Sequence, residues 1–108
     1  MATGRLASVN PPAAAGNSVY TVPVSNYSAV SISILNRSSS PTTYRLAILE
    51  NGVSTPTFSN YLEYDVVLDG ENFVERTGLV LSAGQSIWVY SPTSSLAINV
   101  YGYETQAS

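Results

Sequence analysis

A two-residue alternation of apolar and polar side chains runs through most of the chain and restricts its fold to β structure. In the segment 29–34, Val30, Ile32 and Ile34 alternate with small residues. The same period recurs in the segments 44–48, 61–68, 87–90 and 96–100. Successive side chains of a strand point to opposite faces, so this period is typical of strands with one buried face. Apolar residues at helical spacing do not occur over the length of a helix, so we predict an all-β protein.

Turn-forming residues separate these segments. They lie at 36–41, 51–52, 69–70, 83–84 and 91–92. Glycine permits positive φ and proline fixes φ, so each of these sites favours a turn. We predict strands near 3–8, 18–24, 28–36, 42–50, 58–68, 73–81, 86–91 and 95–103. Short strands with turns every 8 to 12 residues are typical of sandwiches and barrels. The prediction is a single antiparallel β-sandwich, jelly-roll-like, with about eight strands.

The segment Asn10–Asn17 (NPPAAAGN) interrupts the alternation near the start of the chain. Its two prolines cannot donate backbone hydrogen bonds to a neighbouring strand. We therefore predict an extended N-terminal arm and Pro-rich linker over residues 1–17, and the sandwich domain over residues 18–108. An extended segment can add a strand to a neighbouring protein, so Arg5, Leu6 and Val9 of the arm are candidate partner-binding residues.

Aromatic side chains lie on the second face of several predicted strands, opposite the apolar row. They are Tyr20, Trp88, Tyr90, Tyr101 and Tyr103. Only 10% of the residues are charged, against about 25% in typical soluble domains, so much of the surface is free to meet protein. Tyr and Trp are enriched at interfaces, and we predict that these five form an oligomer or partner interface. The alternatives are that Ser, Thr and Asn supply the surface polarity and that the rings lie along the surface or cap the sandwich ends.

The chain lacks His, Cys and Lys, which removes the usual general bases, thiol nucleophiles and thiolate metal ligands. We predict no enzyme activity, no cofactor and no metal site. Glu63 and Asp65 are predicted to point the same way from one strand, where they could form an acid–base pair or bind a cation. The ordinary alternative is a solvated face paired with Arg45 or Arg76. Gly78, inside a predicted strand, indicates a bulge or a close backbone approach.

Charge and hydropathy exclude two partner classes. The net charge is −3 and the four arginines are scattered, so no basic stripe is available for nucleic acid. No segment approaches the roughly 20 apolar residues of a membrane helix. The first ten residues lack the apolar core of a signal peptide, so we expect neither membrane insertion nor secretion.

Several short motifs occur in an order that resembles the order in small virion structural proteins of tailed bacteriophages. The motifs are Gly4–Leu6, Val19–Pro23, Asn36-Arg37, Tyr44–Ala47, Glu63–Asp65, Glu75–Gly78 and Val100–Glu104. They are spread over nearly the whole chain. The chain departs from that pattern in its lack of Lys and in a longer Ser/Thr/Pro loop at Asn51–Asn60.

The resemblance implies a virion component without enzyme activity, assembled in the cytoplasm of the bacterial host. We expect a capsid decoration (cement) protein that binds the major capsid protein and stabilises the head. A tail, baseplate or fibre-associated protein is the alternative within this class. We also expect a homo-oligomer, with a trimer favoured and a dimer possible. An alternative of another class is a carbohydrate-binding β-sandwich module, because Tyr and Trp rings can stack on sugars.

Overall fold

The structure is a computed structural model that describes residues 3–106. Eight strands contain most of these residues. They are β1 (Thr3–Val9), β2 (Ala15–Thr21), β3 (Asn26–Asn36), β4 (Thr42–Leu49), β5 (Tyr61–Leu68), β6 (Phe73–Leu81), β7 (Ser86–Ser91) and β8 (Leu96–Gln106). A 3₁₀ turn at Phe58–Asn60 precedes β5. The prediction of an all-β protein is confirmed.

The strands form two four-stranded sheets in which every neighbouring pair is antiparallel. The first sheet has the order β1-β8-β3-β6 and the second has the order β2-β7-β4-β5. The chain changes sheet at every connection except the one from β4 to β5. The predicted alternation of β3 is confirmed, because Val30, Ile32 and Ile34 are buried in a core that includes residues of both sheets. Each such side chain contributes roughly 1.5–3 kcal/mol by leaving water.

Every outer strand carries a bulge, whereas the central strand pairs are regular. The pairing register shifts between Arg5 and Ala7 in β1 and between Ser18 and Tyr20 in β2. It shifts at Gly78 in β6 and twice along β5. The β3–β8 and β4–β7 pairs run without a shift. The bulge predicted at Gly78 is thus confirmed. A bulge leaves one residue unpaired and bends the strand, so all four sheet edges are poor templates for another strand.

The separate N-terminal arm is not confirmed. Thr3–Val9 pairs with β8 as an outer strand of the first sheet, and the second sheet begins at Ala15. Leu6 and Val9, predicted to anchor a partner, pack against the core of their own chain. The prolines occupy the loop between two strands, where their missing N–H groups break no ladder. Arg5 is exposed opposite Tyr101. Residues 1 and 2 of the predicted arm lie outside the described residues.

One buried amide connects three loops at one end of the protein. Asn36 is 0% exposed, and its Nδ2 donates to the carbonyl oxygen of Ser40 at 2.8 Å and to two carbonyls at the β5–β6 connection at 3.2 and 3.3 Å. Its Oδ1 accepts from the backbone N–H and hydroxyl of Ser38, and from the hydroxyl of Ser95 at 2.9 Å. The side chain therefore fixes the β3–β4, β5–β6 and β7–β8 loops together.

Two polar pairs join the sheets. Tyr20 of β2 donates to Oε2 of Glu104 in β8 at 2.6 Å, and Arg76 of β6 pairs with Glu63 of β5 at 3.1 Å. Burial, followed by the hydrogen bond to Glu104, raises the pKa of Tyr20 to about 12. Burial, followed by the neighbouring Glu63 carboxylate, also raises the pKa of Tyr44. Both tyrosines are therefore held neutral in the folded protein.

We expect Asn36→Ala to lower the free energy of unfolding by about 2–4 kcal/mol, because it leaves several buried donors and acceptors without partners. Urea unfolding followed by circular dichroism measures this. Asn99→Ala, on the half-buried outer side of β8, is the matched control and should change stability by less than about 0.5 kcal/mol. Equal effects of the two substitutions would contradict the connecting role of Asn36.

We expect stability to fall as pH rises from 10 to 12, and Tyr20→Phe to reduce this slope. The folded pKa of Tyr20, about 12, exceeds the ordinary tyrosine value of 10.0. The folded state therefore holds its proton where the unfolded state has lost it, and stability declines through this window. Urea unfolding at several pH values measures the slope. Tyr103→Phe, at an exposed position, should leave it unchanged, and a Tyr20→Phe slope equal to wild type would refute the assignment.

Candidate binding surface on the second sheet

The five aromatic residues predicted as one interface lie in three different places. Trp88 and Tyr90 lie on the outer face of the second sheet, and Tyr101 and Tyr103 lie on the outer face of the first. Tyr20 lies in the core between the sheets. The alternation along β7 and β8 placed four of them outward, but it could not show that they belong to different sheets.

Tyr20 is the exception because of the bulge in β2. The register shift between Ser18 and Tyr20 turns both Val19 and Tyr20 inward, and Tyr20 is 8% exposed. Its hydroxyl is bonded to Glu104. Tyr20 is therefore unavailable to an outer surface, and its predicted interface role is corrected to a core role.

Small residues on the outer face of the second sheet make room for large rings. Trp88 lies in register between Ser18 of β2 and Ala47 of β4, and Ala47 pairs in turn with Tyr61 of β5. The indole of Trp88 also covers Gly16, where a Cβ atom would collide with the ring. Ala47 is 0% exposed, although its place in this row puts it on the outer face. Neighbouring side chains on that face therefore cover it.

Five side chains around Ala47 form a closed circuit of contacts, which we call the outer aromatic cluster: Trp88, Tyr90, Arg45, Tyr64 and Tyr61. The Trp88 and Tyr90 ring centroids are 6.4 Å apart, with planes only 11° from parallel. The Arg45 guanidinium lies 5.1 Å from the Tyr90 centroid and 4.2 Å from that of Tyr64. Tyr61 makes edge contacts with Tyr64 at 4.8 Å and with Trp88 at 6.1 Å. Each member thus touches two others.

The bulges of β5 bring Tyr61 and Tyr64 to one face. A regular strand would place residues three apart on opposite faces, and the two-residue alternation predicted for the segment 61–68 therefore puts Tyr61 and Tyr64 on opposite faces. The structure instead has a positive φ of 50° at Asp65 and two register shifts against β4. Tyr64 consequently reaches Arg45 on the same face as Tyr61. The predicted face assignment of β5 is therefore wrong, and no glycine marks these bulges in the sequence.

The same bulges separate the two carboxylates predicted to point one way. Glu63 turns toward Arg76 of the first sheet, whereas Asp65 turns outward to Arg45. The ion pairs proposed as the ordinary alternative are both present. The acid–base pair or shared cation site is not, because the two carboxylates face different sides of the sheet.

The ion pair fixes the guanidinium inside the cluster. Nε and Nη2 of Arg45 donate to the two carboxylate oxygens of Asp65 at 2.6 and 3.2 Å. The hydrogen bond from Arg45 lowers the pKa of Asp65, so the pair is ionised at neutral pH. Guanidinium carries five N–H groups, and this pair uses two of them. The cluster therefore holds one compensated charge and spare hydrogen-bond donors among aromatic rings.

The outer face of the first sheet is organised differently. Tyr101 donates to Glu75 of β6, and Tyr103 lies in register with Ala29 and, beyond it, Val80. All ring–ring contacts found within residues 3–106 belong to the second sheet and its preceding turn. Among residues 3–106, the aromatic rings of the first face thus make no contact with one another.

No group of three or more metal-ligating side chains occurs between residues 3 and 106. No helix in the same range is long and apolar enough to cross a membrane. Comparison of the chain with protein families, with curated proteins and with solved structures finds no match.

We expect Gly16→Val to displace the indole of Trp88, because the new side chain would occupy the space of the ring. The loss of stability should be about 1–3 kcal/mol, as for other overpacked sites. Trp88 is the only tryptophan, so a red shift of its fluorescence reports the displacement directly. Ala97→Val adds bulk to the outer face of the first sheet and should leave the emission unchanged. Unaltered emission in Gly16→Val would show that the indole does not cover this glycine.

Proposed function

We propose that the protein is a non-catalytic structural component of a tailed bacteriophage particle, a capsid decoration (cement) protein that binds the major capsid protein and stabilises the head. The short motifs that resemble those of small virion proteins support the assignment to virion structural proteins. The strand order supports the same class. We interpret the sheets β1-β8-β3-β6 and β2-β7-β4-β5 as the two sheets of a jelly roll. This architecture recurs in viral capsid proteins.

The observation that carries the proposal is the uncovered apolar surface of the first sheet. Its large apolar side chains that point outward and are at least one third exposed are Tyr27, Leu35, Phe73, Val80 and Tyr103. Phe73 and Val80 are 62% and 72% exposed, and both belong to the outer strand β6. Covering apolar surface lowers the free energy by about 25 cal/mol per Å². Exposed apolar surfaces of this kind mark contacts with other proteins. We assign this face to the capsid lattice.

The shape of the sheet edges supports docking through a face. All four outer strands carry a bulge, which disfavours strand addition between neighbours. Leu6 and Val9 are committed to the core of their own chain. Our proposal therefore replaces an N-terminal strand laid across a neighbour with contact through the first sheet, where Arg5 and Tyr101 are neighbours in register.

A homo-oligomer, with a trimer favoured and a dimer possible, belongs to the same proposal, because cyclic assemblies bury identical patches on every copy. Tyr101 and Tyr103 lie on the proposed docking face, and Trp88 and Tyr90 do not. Binding of the assembled lattice, but not of free subunits, would stabilise the head by mass action. The gain is about 2.7 kcal/mol per site when the free protein is at 100 times its Kd.

We expect Val80→Asp to reduce binding to particles at least tenfold, or about 1.4 kcal/mol, because a buried unpaired carboxylate opposes docking. The assay is co-sedimentation of the purified protein with particles from a phage in which its gene is deleted. Val67→Asp, at a similarly exposed position of β5 (65%), is the matched control and should bind normally. Equal binding of both variants would refute docking through the first sheet.

Copies per particle separate the head from the tail. We expect hundreds of copies on each wild-type particle, and lower heat resistance of heads that lack the protein. Quantitative mass spectrometry of purified particles gives the number. A few to some dozens of copies would favour the alternative, a tail, baseplate or fibre-associated protein. Absence from particles would refute a virion role altogether.

A further inference from the structure

We infer that the outer aromatic cluster is a binding site for a neutral saccharide, on the opposite side of the protein from the proposed docking face. This activity is additional to the structural role and does not rest on it. The inference draws on the contacts within the cluster, its compensated charge and its size.

The cluster offers an aromatic surface that is already assembled, on which Tyr64 is 47% exposed and Trp88 and Tyr90 are half-buried. The Trp88 and Tyr90 rings are nearly parallel and lie on adjacent outward positions of one strand. Tyr61 of β5 contacts Trp88 across the small Ala47 of the intervening strand β4. A pyranose ring presents an apolar C–H face that packs on aromatic faces, and rings held in place lose little entropy when a ligand binds.

Polar groups for the sugar hydroxyls stand beside these rings. Asp65 and the rings of Tyr64 and Tyr90 hold the Arg45 guanidinium in place. The N–H groups of Arg45 outside the ion pair can donate hydrogen bonds to the hydroxyl oxygens of a sugar. Tyr64 is 47% exposed, so its ring is open to a ligand. Mostly apolar walls with a few fixed polar groups are typical of small-ligand sites.

The charge balance favours a neutral sugar over an acidic one. Both oxygens of Asp65 accept hydrogen bonds from Arg45, so the guanidinium charge is already compensated. A uronate or sulfated sugar would have to displace this carboxylate or bind beside it. A hydroxyl group can use the spare N–H groups without breaking the pair.

The size of the cluster favours a small ligand over a second copy of the chain. The cluster spans the three neighbouring strands β7, β4 and β5 and a similar distance along them, or roughly 10 Å by 10 Å. A stable protein interface buries about 800 Å² on each partner, several times this patch. Phe58 extends the surface at one end, where it lies 6.4 Å from Tyr64 and is almost fully exposed.

The test uses the free full-length protein and a panel of soluble hexasaccharides of neutral hexoses, titrated while Trp88 fluorescence and amide NMR shifts are recorded. We expect at least one to bind saturably with Kd at or below about 1 mM, with shifts concentrated on β4, β5 and β7. Tyr90→Ala and Arg45→Met should each weaken binding at least tenfold. Tyr103→Ala, on the other face, is the matched control and should bind as wild type.

Three results would overturn the inference. One is no response to any neutral hexasaccharide up to about 10 mM. Another is binding only of oligogalacturonate or another anionic oligosaccharide. The third is self-association that shifts Trp88 emission as protein concentration rises, which would assign the cluster to a second copy. NMR spectra of the variants confirm that they are folded, and because no particle is present, the outcome is independent of the decoration role.

Discussion

The structure depends on two uninterrupted antiparallel strand pairs, β3–β8 in the first sheet and β4–β7 in the second. Strict alternation along them places Ile32, Ile98 and Val100 of one sheet and Leu46 and Val89 of the other in one fully buried core. The apolar core and the hydrogen bonds of the buried Asn36 side chain both hold this arrangement together. A one-residue shift in either pair would turn a whole row of apolar side chains outward. The register of these strands therefore determines where the outer strands and their side chains lie.

Irregularity is confined to the outer strands, where it has two physical effects. It ends the sheets, because a bent and partly unpaired edge is a poor template for another strand. It also changes the face of the sheet to which some side chains point. The bulge of β2 turns Tyr20 inward to meet Glu104, and those of β5 gather Tyr61 and Tyr64 over Ala47 while sending Glu63 the other way. The same distortion that limits assembly at the edges therefore builds the aromatic cluster on the face.

The sequence alone predicts the strands but does not predict the outer aromatic cluster. Alternation located all eight strands, and the outward positions of Trp88 and Tyr90 followed from it. Gly78 revealed its bulge because glycine inside a strand is a recognisable signal. The bulges at Ser18–Tyr20 and at Asp65 involve no glycine and leave no mark in the residue pattern, so Tyr20 and β5 were assigned to the wrong faces. Pro11 and Pro12 likewise marked a real break, but only pairing with β8 shows that the strand before it belongs to the first sheet and not to a separate arm.

The two outer faces differ in how their apolar groups are accommodated, and this difference separates their proposed roles. On the first sheet, Phe73 and Val80 are largely exposed, so covering them yields free energy only when another protein arrives. On the second sheet, Trp88 and Tyr90 are half-buried against their neighbours and cover the small residues beneath them, while Tyr64 stays 47% exposed. A partly covered cluster can remain in water without a permanent partner while keeping its rings in place. A molecule docked on a particle through the first face would therefore present the second face outward, already ordered for a small ligand.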